Sequence, residues 1–278
     1  MSFKYQSHVS FGIVSEEAII DVGKRYPLYL SLKALIASGE LNAVSAEAKT
    51  HASDYALSEV EFLPVILRPD KILCAGLNYK AHMEETGNSD TSSPTLFTRF
   101  ASSQVGHKQN MVKPRESDKL DFEGEIALII GKPGRRISVE SALSHVAGYS
   151  CYNDGSVRDF QNHTSQFTPG KNFVHTGGFG PWMMTPDEIG DLDKMEITTR
   201  LNGKVLQNSN AAYLIFGFAE LIAYCSIFTE LVPGDVIVTG TPAGVGMARK
   251  PQVFMQPGDQ IDIEVSPIGT LSNKIVEG

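Results

Sequence analysis

Between residues 120 and 131 the chain reads LDFEGEIALIIG, with Asp121, Glu123 and Glu125 at alternate positions just where an apolar run begins. In an extended chain successive side chains point to opposite faces, so these carboxylates share one face while Phe122, Ile126, Leu128 and Ile130 share the other. The pattern predicts a strand with a charged end. Like charges this close repel, and an ionised carboxylate taken out of water costs roughly several kcal/mol unless a cation compensates it. A positive group is expected against this face; a solvated strand face is the alternative reading.

With 278 residues, 42% of them hydrophobic, the chain can bury a sizeable core as one large domain or as a large domain with a small appendage. A net charge of −8 with scattered Lys and Arg offers no footprint for nucleic acid. The segment MSFKYQSHVS has no apolar signal core, and Ala211 to Phe228 carries Glu220 and is interrupted by Gly217, so no membrane association is expected. Cys74, Cys151 and Cys225 are widely spaced without a CxxC, which argues against a disulfide scaffold or a zinc-thiolate site and leaves the cytoplasm as the expected compartment.

Residues 7–21 predict two short strands around a turn, and YPLYLSLKALIASGE has helical spacing with Gly39 as its stop. A small N-terminal α+β unit is expected over 1–65 and a larger domain, rich in antiparallel sheet, over 66–278. In the larger part, Asn202-Gly203 marks a hairpin, and Pro233-Gly234 and Pro257-Gly258 precede strand-like runs. Helices are expected at SVESALSHVAGY, at TPDEIG behind a capping box, and over 211–229.

Asp154, in CYNDGSVRDFQ, follows Glu125 by enough chain for a strand, a helix and a return strand. Glu123, Glu125 and Asp154 would then form an all-oxygen site that suits Mg²⁺, Mn²⁺ or Ca²⁺. A turn cap is the alternative for Asp154. In CAGLNYKAHMEETG, His82 and Glu85 fall on one face of a short helix ended by Gly87, a spacing suited to acid/base work or to a surface ion pair. TPGKNF offers Lys171, and VIVTGTPAGVG offers Thr241 with glycine-flanked amides that could hold a carboxylate. No dinucleotide fingerprint or P-loop is present.

Taken in order, GLNYKAHMEE, DFEGEIALIIGK, NDGSVRDFQ, GKNF, NGKVLQ and VIVTGTPAGVG resemble the fumarylacetoacetate hydrolase superfamily from about Ile72 to Val276. The resemblance implies an α+β, mostly β fold, a mixed β-sandwich roll that is usually a homodimer. It also implies a divalent metal, Mg²⁺ or Mn²⁺, on Glu123, Glu125 and Asp154, binding the 2-oxo acid end of a small substrate. The expected activity is C–C bond hydrolysis in an acylpyruvate. Decarboxylation, hydration or isomerisation at the same site, or a metal-binding protein without catalysis, are the alternatives. Carried onto this chain, Gln161 and Lys171 contact substrate oxygens, Thr241 holds the substrate carboxylate, and His82 with Glu85 activates water. One departure stands out: after GKNF, relatives commonly have Asp with Thr close behind, whereas this chain has Val174-His175-Thr176. With Arg158 and His163 nearby, the two histidines suggest a dicarboxylate such as maleylpyruvate or fumarylpyruvate. The polar segment NYKAHMEETGNSDTSSP is expected to act as a lid.

Overall fold

A computed structural model describes residues 1–87 and 92–278. Two sheets form the larger part. A mixed seven-stranded sheet runs in the order Thr95–Arg99, Ile72–Gly76, Val236–Val238, Gly124–Ile130, Val146–Asp154, Gly177–Met184, Gln104–Val105. A five-stranded sheet runs Lys204–Asn210, Glu196–Leu201, Gln260–Val265, Gly269–Glu277, Met111–Lys113. This is the mixed sandwich roll that the motifs imply, and Asn202-Gly203 turns its hairpin with φ of 52° and 78°.

Gly124–Ile130 lies at the centre of the first sheet and is buried along its whole length. Its two faces go to different partners. Ile126, Leu128 and Ile130 pack with Ile197, Ile261, Ile263 and Leu271 of the second sheet. Ala127 and Ile129 pack instead with Phe11, Ile20, Leu32, Leu35 and Ile36 of the N-terminal part. A strand covered on both sides reads as a continuous apolar run, which is why IALII follows the charged end.

The N-terminal part builds its own five-stranded sheet from strands within residues 2–62. Its hairpin His8–Ser15 and Ala18–Asp21 lies where the sequence puts it. The helix expected up to Gly39 is Leu32–Ser38, shorter than its apolar spacing suggests; Ser31 Oγ accepts the Ala34 N–H at its start.

Three expectations are corrected. The charged strand is two strands, Leu120–Asp121 and Gly124–Ile130, because the first leaves the main sheet to pair with Ser156–Val157. The helix expected at SVESALSHVAGY is one turn, Val139–Ala142, and a short 3₁₀ turn, because Val146 already belongs to the strand that carries Asp154. The helix expected over 211–229 is confined to Phe218–Phe228, where Glu220 Oε2 accepts the Gly217 N–H and caps its start. Among the described residues no helix is long and apolar enough to cross a membrane.

Candidate active site

The carboxylate face and the return strand meet as the spacing predicts. The Asp154 N–H donates to the Glu123 carbonyl at 2.9 Å, and Asn153 Oδ1 accepts the Glu123 N–H at 3.0 Å. Glu123, Glu125 and Asp154 are buried, each offering one oxygen within 4.8 Å of the others. Asp154 is therefore the last residue of a long strand and not a turn cap.

The positive groups expected against this face include the protein's own cations. Lys171 Nζ donates to Glu123 Oε2 at 2.8 Å and to Asp154 Oδ2 at 2.7 Å, and lies 4.8 Å from the centre of the Phe97 ring. Gly170 makes this reach possible, since a Cβ there would stand 2.3 Å from the Gln161 nitrogen. Arg158 Nη1 lies 2.6 Å from Glu123 Oε1, and its Nε donates to Asp121 Oδ2 at 2.8 Å. Asp121, the third carboxylate of the pattern, is thus an anchor for Arg158 and stands outside the triad. Arg99 Nη1 donates to Asp154 Oδ1 at 2.6 Å from a fully buried position.

Asp121, Glu123, Glu125 and Asp154 face Arg99, Arg158 and Lys171, which leaves one carboxylate more than there are cations. Burial would raise the Glu123 carboxyl, but Lys171 and Arg158 outweigh it and hold it below the ordinary range. Glu125 has the reverse fate: burial, then Asp154 and Glu123, push its carboxyl well above that range. Three converging carboxylate oxygens with uncompensated negative charge fit a hard divalent cation.

Beside the triad, His82 Nδ1 lies 2.8 Å from Glu85 Oε1. A carboxylate accepts only, so Nδ1 carries the proton and Nε2 is left as the acceptor. Both Glu85 oxygens in turn accept the Gly244 N–H at 3.0 Å. The glycine-rich stretch therefore does bind carboxylates, but they are the protein's own: the Gly240 N–H serves Glu125, Gly244 serves Glu85, and Gly246 with Met247 serves Asp121. The Thr241 hydroxyl donates to the Gly124 carbonyl at 2.9 Å and accepts from Gln207 Nε2 at 2.8 Å. In this arrangement its one proton is directed at the protein's own backbone.

His82, Glu123, Glu125, Arg158, Gln161, Lys171 and Thr241 line one cavity of about 200 Å³, closed on its apolar side by Phe97, Phe167 and Met247. His163 and His175 are exposed and do not line it, so the argument for a dicarboxylate loses both histidines. It keeps Arg158, whose Nη2 is buried without a hydrogen-bond partner. Of the expected lid, Lys80–Glu85 is a helix docked through Glu85, while 88–91 lie outside the described residues. Cys74, Cys151 and Cys225 are buried free thiols, all pushed above the ordinary range by burial.

The sequence reading missed Arg99, Gln207 and Asn78. Gln207 accepts the Gly124 N–H and donates to Thr241 and Pro242, and Asn78 ties Thr239 to Phe216. A guanidinium between the aromatic and β-branched residues of PTLFTRF, with no other charge in the stretch, was the signal for Arg99.

A family model described as fumarylacetoacetate hydrolase C-terminal matches residues 71–276. The mitochondrial oxaloacetate tautomerase FAHD2A of Bos taurus is 42% identical over 221 residues, 79% of this chain and 70% of that protein. The oxaloacetate tautomerase YisK of Bacillus subtilis is 42% identical over 226 residues, 80% of this chain and 75% of its own. Among solved structures, a fumarylacetoacetate hydrolase from Exiguobacterium antarcticum superposes with a TM-score of 0.85 at 32% identity, covering 100% of this chain and 98% of its own. The maleylpyruvate hydrolase of Sphingobium sp. SYK-6 does so with 0.84 at 25% identity, covering 100% of both chains.

Proposed function

The chain belongs to the fumarylacetoacetate hydrolase family, and from that premise we propose that it enolises a small 2-oxo dicarboxylate, as an oxaloacetate tautomerase does. The observation that carries this reading is the cavity itself. It is about 200 Å³, room for a small diacid, and it sets one oriented imidazole and one unpartnered guanidinium nitrogen beside a carboxylate triad.

Glu123, Glu125 and Asp154 would hold the divalent cation, Mg²⁺ or Mn²⁺, which when bound stabilises negative charge developing on the 2-oxo oxygen. Arg158, which lines the cavity and keeps one guanidinium nitrogen without a partner, is the cation for the distal carboxylate. With the Thr241 hydroxyl committed, its backbone N–H takes the carboxylate contact expected of this residue. The Gln161 Oε1 accepts from Arg158 at 2.8 Å, so the amide nitrogen is the group that meets a substrate oxygen. His82 Nε2 takes the proton from the carbon next to the 2-oxo group and delivers it to the 2-oxo oxygen, which turns the ketone into the enol and in reverse the enol into the ketone, while Glu85 holds the ring in one orientation.

A second reading is favoured by the same dyad: His82 could remove a proton from water and make the enzyme an acylpyruvate hydrolase, the reaction that the name of the Sphingobium neighbour implies for that protein. Rates on oxaloacetate and on a set of acylpyruvates, with and without Mg²⁺, separate the two. Tautomerisation alone supports the first reading; C–C cleavage of an acylpyruvate at a comparable rate replaces it with the second. In either case His82→Ala and Glu85→Ala are expected to lower the rate roughly 10²-fold, the scale of general-base catalysis, with metal affinity unchanged. Near-normal rates in both variants would remove the dyad from the mechanism.

A further inference from the structure

Arg99 ends the edge strand Thr95–Arg99 and lies behind Asp154, on the side away from the cavity, whose lining does not include it. Its side chain is fully buried and spends its donors on four fixed acceptors. Nη1 reaches Asp154 Oδ1 at 2.6 Å and the Gly155 carbonyl at 2.9 Å, Nη2 reaches Thr176 Oγ1 at 3.0 Å, and Nε reaches Ser103 Oγ at 3.3 Å. The space for the fork is carved by Gly177, where a Cβ would stand 2.8 Å from Arg99 Nη2. Asp154 is thus gripped at one oxygen from behind while the other, Oδ2, faces Lys171 on the cavity side.

Thr176 links this grip to the one segment that departs from the family pattern. Val174 and His175 are exposed, and His175 has a left-handed φ of 58° that turns the chain so that Thr176 points inward. The Thr176 hydroxyl donates to the Phe173 carbonyl at 2.7 Å, which fixes its lone pairs toward Arg99.

We propose that Arg99 is the positioning residue that aims Asp154 at the divalent cation, and that the loop ending in Thr176 acts on cation affinity through it. The proposal rests on the reading of Glu123, Glu125 and Asp154 as ligands. Its physical content is a sign. Removing a positive charge from a cation site strengthens binding by direct electrostatics, so weaker binding in Arg99→Met points to the lost orientation of Asp154, and Thr176→Val, which removes no charge, separates this from proton competition at the carboxylate.

The test is titration of purified protein with Mn²⁺, followed by the electron paramagnetic resonance signal of the free ion, alongside circular dichroism. Arg99→Met is expected to bind Mn²⁺ roughly 10- to 100-fold more weakly, the scale typical of groups that orient a ligand. Arg99→Lys should recover part of that loss. Thr176→Val, which changes no charge, should weaken binding several-fold and carries the test if Arg99→Met does not fold. Turnover at saturating Mn²⁺ should return toward the wild-type value in each. Wild-type affinity or tighter in Arg99→Met, or in Thr176→Val where only that variant folds, overturns the positioning role. Absence of Mn²⁺ binding in the wild type overturns the ligand assignment beneath it.

Discussion

The two ends of the central segment, residues 120–130, are buried equally well and held by opposite means. From Ile126 to Ile130 the side chains pack into apolar clusters on both faces. From Asp121 to Glu125 every other side chain is a carboxylate, held by Arg158, Lys171 or a backbone N–H from the glycine-rich stretch. Burial of the apolar end is favourable in itself, at about 25 cal/mol per Å² removed from water. Burial of the charged end is tolerable only with each charge met by another, and removing one partner strands the rest. One end can therefore be read as scaffold and the other as a charge cluster that is one cation short.

The sharpest way to separate the ends is Glu125→Gln. Glu125 is the triad carboxylate that makes no ion pair among the described residues, and a glutamine oxygen can still accept the Gly240 N–H. Activity should fall roughly 10³-fold or more, beyond what one lost hydrogen-bond donor costs, while the thermal midpoint of metal-free protein stays level or rises. A large fall in the midpoint would mean that the charge at Glu125 stabilises the fold. Lys171→Met should do the reverse of a surface lysine change. It leaves Glu123 and Asp154 underpaired in the interior and is expected to cost about 3–5 kcal/mol in denaturant unfolding. Leu128→Ala probes the apolar end: about 2–5 kcal/mol of stability lost, with Mn²⁺ affinity of the folded protein unchanged.

The smallest expected effect is a pH dependence far from the cluster. His107 packs edge-on against Phe62, and its Nδ1 accepts the Ser272 N–H at 3.0 Å, so the fold holds the ring neutral. Burial first, then Lys108, lowers it from 6.5 to about 4 against an opposing pull from Asp262. A depressed histidine means that the unfolded chain binds the extra proton. Its contribution is complete above pH 6.5 and is lost as pH falls from there toward about 4. Its share of the slope stays below about 1.4 kcal/mol per pH unit. Thermal melts of His107→Gln across this range should be flatter than those of the wild type; equal slopes would assign the dependence to other groups.

This contrast also explains what the sequence made legible. Alternation is a local property, so the carboxylate face, the apolar face and the His82–Glu85 spacing could be read directly. Charge balance is not local. Arg99, Arg158 and Lys171 come from three separate segments, and nothing in any one of them says that its cation is buried against Asp154, Asp121 or Glu123. The break at Phe122–Glu123 was hidden for the same reason, since it is imposed by the pairing of Leu120–Asp121 with Ser156–Val157. The glycine-rich stretch was legible as a carboxylate binder, but not that its Gly240 and Gly244 amides meet Glu125 and Glu85, because that proximity exists only in the fold.

Proton nuclear magnetic resonance of oxaloacetate in D₂O follows the proposed chemistry at the carbon where it takes place. Enolisation exchanges the methylene protons beside the 2-oxo group for deuterium without consuming the acid. The protein with Mg²⁺ is expected to speed this exchange well beyond Mg²⁺ alone, to lose the effect with a chelator or in Glu125→Gln, and to form no pyruvate above the enzyme-free control. Exchange no faster than with Mg²⁺ alone, or pyruvate appearing in step with the loss of the methylene signal, would contradict it.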